Sequence, residues 1–132
     1  MSGVPRALLI GFAVALATPA LAQMSCTAPQ QSMRDVELML GRGQGGAARW
    51  RAFLAKEVTP RFPDGLTVYE TTGQWRDPQT AKIGRERSRV LRIIVSQDDG
   101  VPDKIAAIVE AYKRQFRQKS VGILVREVCA SF

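Results

Sequence analysis

The sequence predicts an α+β domain in which two amphipathic helices cover one face of a four-stranded antiparallel sheet. Four segments with alternating apolar residues and two with apolar residues at helical spacing follow one another in the order βαββαβ. With 132 residues and 45% apolar content, the chain is long enough for one such core and too short for two. These observations indicate a single domain.

The first strand is predicted over residues 34–40, where three apolar residues alternate with their neighbours. The preceding residues 23–33 form a polar arm without periodicity, and the sequence assigns no structure to them. A glycine-rich loop at 41–46 separates the strand from the first helix. We expect this loop to be a plain flexible connection; an anion site formed by its backbone N–H groups and Arg42 is the alternative.

The first helix is predicted over residues 47–59, because apolar residues recur there at helical spacing: Trp50, Phe53, Leu54 and Val58. This pattern makes Trp50 a core residue rather than a platform for a ligand. Pro60 ends the helix, and the Pro-Asp-Gly turn at 63–65 reverses the chain. The second strand then runs over 66–75.

The third strand is predicted over residues 89–96 and is apolar on both faces, which favours a central position. A connection at 77–84 joins it to the second strand. The second helix starts near Pro102 and carries a stripe of apolar residues: Ile105, Ile108, Val109, Tyr112 and Phe116. The last strand covers 121–128.

This order of elements is typical of a ferredoxin-like βαββαβ sandwich with strand order 4-1-3-2, here over residues 34–132. Both helices lie on one face of the sheet, so the second face has no cover from the chain itself. By the alternation of the strands, that face carries Glu37, Met39, Thr67, Tyr69, Val90, Arg92, Ile94, Leu124 and Arg126. It is unusually apolar for a surface in contact with water.

The stretch VTPRFPDGLTVYETTGQWRD at 58–77 combines a helix end, a turn and a strand. Together with YKRQF at 112–116 and QKSV at 118–121, it closely resembles DUF3574, a family of small exported bacterial proteins of unassigned function. The resemblance covers most of the chain after about Val36. It implies the fold rather than an activity, since the family brings no established catalytic residues to carry over.

The first 22 residues have the pattern of an export signal peptide. Arg6 precedes an apolar run of eleven residues, and the small residues Ala20 and Ala22 form a cleavage site. Such a run is too short to cross a hydrocarbon core of about 30 Å. We therefore expect cleavage near Ala22 and an exported, periplasmic mature chain without a transmembrane span. A lipoprotein anchored at Cys26 is the alternative.

Charge and composition exclude several kinds of chemistry. The chain has 19 Lys and Arg against 12 Asp and Glu, a net charge of +7, and it contains no His. Histidine-based triads, Cys-His nucleophiles and His-ligated metals are therefore excluded. No cofactor, metal or catalytic residue is predicted. Nucleic acid is a disfavoured partner, because the aromatic strand motifs of RNA-binding sheets are absent.

The preferred hypothesis is a non-enzymatic binding or structural module. It would use the bare sheet face to form a homodimer or to hold a small anionic ligand. The candidate interface or ligand residues are Arg42, Tyr69, Trp75, Arg76, Arg92, Ile94 and Arg126. The alternative is an enzyme of the dimeric α+β barrel type with a pocket between two sheets, for which Glu37, Glu70 and Tyr69 are the candidate acid, base and orienting groups.

Cys26 and Cys129 are expected to form one disulfide. They are the only cysteines, and export sends the chain to an oxidising compartment. In the predicted topology the last strand lies antiparallel to the first. The segment before the first strand therefore starts near the point where the last strand ends.

Overall fold

The computed structural model describes residues 25–98 and 100–132, so the predicted export signal lies outside the described residues. The elements follow in order: β1 Gln31–Gly41, α1 Ala47–Phe53 with a π-helical turn Leu54–Val58, β2 Thr67–Arg76, β3 Ile83–Ser96, α2 Val101–Phe116 and β4 Gly122–Ala130. The predicted βαββαβ order is confirmed. In the described ranges no helix has the length and apolar character needed to cross a membrane.

All strands of the sheet are antiparallel, in the order β2-β3-β1-β4, which confirms the predicted ferredoxin-like arrangement. The strand with apolar residues on both faces, β3, is central as expected. In the register between β1 and β3, Val36 lies opposite Ile93 and Leu38 opposite Leu91. All four side chains are buried on the side of the sheet that the helices cover.

Four aromatic rings join the two helices above the sheet. Trp50 and Phe53 of α1 pack against Tyr112 and Phe116 of α2, with ring centroids 5.3–6.3 Å apart. All four are buried, so the prediction of Trp50 as a core residue is confirmed. The Tyr112 hydroxyl donates a hydrogen bond to the carbonyl oxygen of Gly41, and burial raises the pKa of Tyr112 to about 12.

The glycine-rich loop is fixed to the end of α2. The N–H of Gln44 donates to the carbonyl oxygen of Phe116 at 3.2 Å. Gly43 adopts a φ of +58°, and a Cβ at this position would lie 2.7 Å from the Cβ of Phe116. Only glycine fits such a backbone and such a close approach. The loop is therefore a held segment of the fold rather than a free connection.

The first helix widens in its last turn. The N–H of Thr59 donates to the carbonyl oxygen of Leu54 at 2.9 Å, five residues earlier. Val58 lies five residues after Phe53. A π-turn places two side chains at this spacing more nearly on the same face of the helix than an α-turn does. Both side chains are buried. The predicted helix over 47–59 is thus present, with a wider turn that the apolar spacing did not indicate.

Three strands are longer than predicted. β1 begins at Gln31 instead of 34, β3 begins at Ile83 instead of 89, and β4 ends at Ala130 instead of 128. Residues 31–33 pair with β4, so the assignment of the whole 23–33 segment to an unstructured arm is wrong at its end. The added residues are mostly polar, and those of β3 before Ser88 have a partner only in β2. Without a buried face they produce no alternation.

The two cysteines are joined, as predicted. Cys26 and Cys129 form a disulfide with their Cα atoms 5.4 Å apart. Cys129 lies opposite Ser32 in the pairing of β4 with β1, so the bridge ties the segment before β1 to the end of the edge strand. It closes a loop with a sequence separation of 103 residues.

We predict that replacing both cysteines by serine lowers the free energy of unfolding by up to about 4.7 kcal/mol, because the bridge restricts a long loop of the unfolded chain. Denaturant unfolding of the oxidised protein and of the double variant measures the difference. Alkylation followed by intact-mass analysis is the control, since both thiols should react only after reduction. Two thiols that alkylate without reductant would contradict the bridge.

Candidate functional site on the open sheet face

The face of the sheet opposite the helices, called the open face below, carries the nine residues predicted for it. The register places β1 residues Glu37 and Met39 there beside Arg92 and Val90 of β3. Residues of β2 and β4 complete the surface on either side. The same register also places Asp35, which the prediction left out, between Ile94 of β3 and Arg126 of β4.

Asp35 is the centre of an ion-pair network on the open face. Arg92 donates two hydrogen bonds to its carboxylate, from Nε to Oδ1 and from Nη2 to Oδ2, each 2.9 Å long. Nη2 of Arg126 donates to Oδ2 of Asp35 at 2.8 Å and to Oε1 of Glu37 at 2.9 Å. Two carboxylates and two guanidinium groups therefore form one network with no net charge.

The side chain of Asp35 has no exposed surface, although it lies on the uncovered side of the sheet. The two arginine side chains cover it and are themselves partly exposed, 32% for Arg92 and 48% for Arg126. A buried carboxylate is costly unless it is paired and hydrogen-bonded, and here both oxygens have partners. The network thus satisfies a charge that would otherwise oppose folding.

The arrangement shifts the pKa values of three of these groups, Asp35, Arg92 and Arg126. The hydrogen bond from Arg92, with a further bond from Arg126, holds the pKa of Asp35 below its ordinary value, although burial opposes this effect. The pKa of Arg92 is raised by Asp35 and also by the hydroxyl of Tyr69. The pKa of Arg126 is raised by Asp35 and Glu37. The charged forms of Asp35, Arg92 and Arg126 are therefore the stable ones at neutral pH.

Apolar side chains surround this network. Met39 and Tyr69 are 48% and 44% exposed, which is high for large side chains of a folded domain. Val90, Ile94 and Leu124 add further partly covered apolar surface on the same face. The open face therefore consists of a polar centre, in which the charged groups are paired, and an apolar border.

A cleft opens at one edge of this face. β2 begins at Thr67, opposite Arg92, so in the described chain β3 residues 93–96 have a strand partner only in β1. The uncovered edge of β3 forms a wall of a cleft of about 730 Å³. Tyr69, Arg92 and Ile94 reach it from the open face, and the connection from α1 to β2 lines the other side.

The structure separates the other predicted site residues from this centre. Trp75 and Arg76 lie near the tip of the β2–β3 hairpin, where the Trp75 ring covers Gly84. Arg76 donates to the carbonyl oxygen of Ala81, and the backbone N–H groups of Gln79 and Thr80 donate to the Asp77 carboxylate. About half of the Trp75 side chain is exposed.

Arg42 and Glu70 also lie away from the open face. Arg42 is part of the glycine-rich loop and lines a depression there together with Glu70 and Arg89. Glu70 pairs with Arg89 at 2.7 Å, on the helix side of the sheet, where Arg89 lies 4.7 Å from the ring centroid of Trp50. The two carboxylates considered as acid and base, Glu37 and Glu70, are thus on opposite faces of the sheet.

We predict that acid weakens the fold partly through Asp35. A carboxyl whose pKa is lower in the folded state stabilises the protein above its unfolded pKa of about 3.9, and this contribution is lost as the pH falls through the folded pKa. As the pH drops below about 4, the free energy of unfolding should therefore decrease more steeply in the wild type than in Asp35→Asn.

Asp64→Asn is the matched control, since it removes a carboxylate from an exposed turn. Its pH dependence of unfolding should resemble that of the wild type. Equal slopes for the wild type and Asp35→Asn would show that the network contributes nothing to acid sensitivity.

Solved structures share the fold of this chain at low sequence identity. A phage SAM lyase in complex with S-methyl-5'-thioadenosine aligns with a TM-score of 0.56 and 12% identity, over 84% of this chain and 96% of the lyase. The GlnK–ATP complex of Bacillus subtilis gives 0.50 and 18%, over 74% of this chain and 82% of GlnK. CutA from Synechococcus elongatus gives 0.51 and 12%, over 76% of this chain and 80% of CutA.

At such identities the likeness concerns the fold alone. No curated protein matches the sequence. A family model does match it, over residues 35–132, and it is described as a protein of unknown function. That range begins at the buried Asp35 and contains every element of the fold except the first residues of β1. The chain therefore belongs to the DUF3574 family.

Proposed function

We propose that the protein is a non-enzymatic binding or structural module that associates with a second copy of itself through the open face. The observation that supports this proposal is the neutral network at the centre of that face. Asp35 and Glu37 already hold Arg92 and Arg126. A second copy therefore meets no net charge there, and the surrounding apolar side chains lose contact with water on association.

The size of the open face is suited to such an interface. β1 pairs with each of its neighbours over nine positions. At about 3.3 Å per residue and about 4.8 Å between strands, four strands present roughly 600 Å² of flat area. The side chains that project from it add to this figure. The total is of the order of the ~800 Å² per partner that stable interfaces bury.

A twofold interface places the same patch on both copies. Apolar residues of one copy, such as Met39 and Ile94, can then lie against the apolar border of the other. The arginines stay paired within their own chain, which avoids placing like charges opposite each other across the interface. A homodimer is the smallest assembly that covers the face.

A small anionic ligand is the second candidate occupant. The cleft of about 730 Å³ at the β3 edge supports it, since Tyr69, Arg92 and Ile94 line this space. The carboxylate of Asp35 already engages Arg92, so recognition there would depend on apolar contacts and hydrogen bonds as much as on charge. An enzyme with a pocket between two sheets is less favoured, because Glu37 and Glu70 do not share a face.

We predict that Ile94→Lys converts a dimer into a monomer. The twofold axis would bring two added ammonium groups into a buried apolar interface, which should raise the dissociation constant roughly 100-fold or more. Analytical ultracentrifugation over a range of concentrations measures this change. Ile123→Lys is the matched control, because Ile123 is exposed on the helix side of β4 and should leave the dimer intact.

Thermal melts of both variants verify that they are folded. Association through the open face would be excluded if the wild-type protein sediments as a ligand-free monomer at high concentration and if Ile94→Lys does not change its sedimentation. Native mass spectrometry of the wild type separates the two occupants, because a retained ligand adds mass to a single chain whereas association doubles it.

A further inference from the structure

The β2–β3 hairpin extends beyond the body of the sheet. Pairing between β1 and β3 ends where Gly41 meets Ser88, but β2 and β3 stay paired from there to Arg76 and Ile83. The result is a two-stranded arm at one end of the molecule. Arg85 and Arg87 project from this arm on the helix side, because they share the alternation of the buried Leu91.

A groove separates this arm from the glycine-rich loop and the end of α2. Two adjoining depressions of about 260 and 590 Å³ have both Arg42 and Arg87 in their walls. The second is also lined by Arg85 from the arm and by Arg117 from the residue that ends α2. We call this space the arginine groove, defined by Arg42, Arg85, Arg87 and Arg117. It lies on the side of the sheet opposite the open face.

Rigid backbone holds the body side of the arginine groove. The loop that bears Arg42 is fixed by the Tyr112 hydroxyl on Gly41 and by the Gln44 N–H on Phe116. Arg117 has a left-handed backbone with a φ of 53°, and its N–H caps α2 by donating to the carbonyl oxygen of Lys113. The positions from which these two side chains extend are therefore set by the fold.

The charges of the groove are not neutralised by the protein. None of the four arginines forms an ion pair among the residues that the structure describes, whereas Arg61, Arg89, Arg92 and Arg126 each do. Around the two depressions stand five arginines, with Arg89 included, and two glutamates. One of these glutamates, Glu70, already binds Arg89. A concentrated positive potential remains, which attracts anions and opposes folding through repulsion.

We infer that the arginine groove binds a ligand that carries adjacent phosphate groups. The guanidinium group presents a planar fork of donors that matches phosphate oxygens in pairs. Side chains two residues apart on one face of a strand start about 6.8 Å apart, so Arg85 and Arg87 can each engage a neighbouring phosphate. Arg42 and Arg117 face them from the fixed wall. The charge of two phosphate groups compensates the excess of arginine around the groove.

Titration of the full mature protein with inorganic pyrophosphate, followed by calorimetry, tests this inference. We expect binding that weakens as salt is added, and at least about a tenfold loss of affinity in the double variant Arg85→Gln and Arg87→Gln. Arg51→Gln is the matched control, since Arg51 is exposed on α1 outside the groove and unpaired by any described acid. It should change the affinity less than twofold. Arg117→Gln provides a second variant on the opposite wall, with a similar expected loss.

Vesicles distinguish a soluble ligand from a lipid headgroup that bears the same phosphate chemistry. Cardiolipin carries two phosphates in one headgroup. Binding to vesicles that contain cardiolipin, with displacement by pyrophosphate and no binding to phosphatidylcholine vesicles, would place lipid phosphates in the groove. Pyrophosphate binding without vesicle binding would indicate a soluble ligand. Citrate that binds as tightly as pyrophosphate, or an equal loss in Arg51→Gln and the groove variants, would overturn the inference. Vesicle binding that pyrophosphate cannot displace would do the same.

Discussion

The buried carboxylate of Asp35 ties three strands together, because its partners Arg92 and Arg126 come from the strands on either side of β1. Their separation in sequence, 57 and 91 residues, makes each a long-range contact. A slip of one residue in β1 would turn Asp35 into the apolar core and expose Val36. The network therefore specifies the register of the sheet as well as the surface of the open face.

Two sets of arginines in this protein differ in their partners. Arg89 and Arg92 have acids beside them and serve the fold, one against Trp50 and the other across the open face. Arg42, Arg85, Arg87 and Arg117 border the groove at the arm without such partners among the described residues. The overall charge of the chain alone did not distinguish these groups. Their positions in the fold distinguish them. Arg92 belongs to the neutral open face, which we propose binds a second copy, whereas the other four line the positive groove, which we propose binds an anion.

Periodicity was sufficient to predict the strand order and the buried stripes, because one covered face imposes a regular alternation. It also placed Tyr69, Arg92, Ile94 and Arg126 on one surface. It failed for Asp35, since a carboxylate that alternates with apolar residues resembles a solvated position. The available signal was the presence of arginines on two other strands of the predicted open face. The arm was not predicted, because β3 residues 83–88 have no covered face and so show no alternation. The arginine groove was not predicted, because the sequence of the glycine-rich loop does not indicate its attachment to α2.

Double-mutant analysis of Asp35 and Arg92 tests most directly whether the buried network organises the open face. Asp35→Asn, Arg92→Gln and the double variant are compared with the wild type by denaturant unfolding. If the pair acts as a unit, each single substitution already disrupts the network by leaving one partner without the other. The double variant should then be no less stable than the less stable of the two single variants. Destabilisations that simply add would contradict the central role given to Asp35.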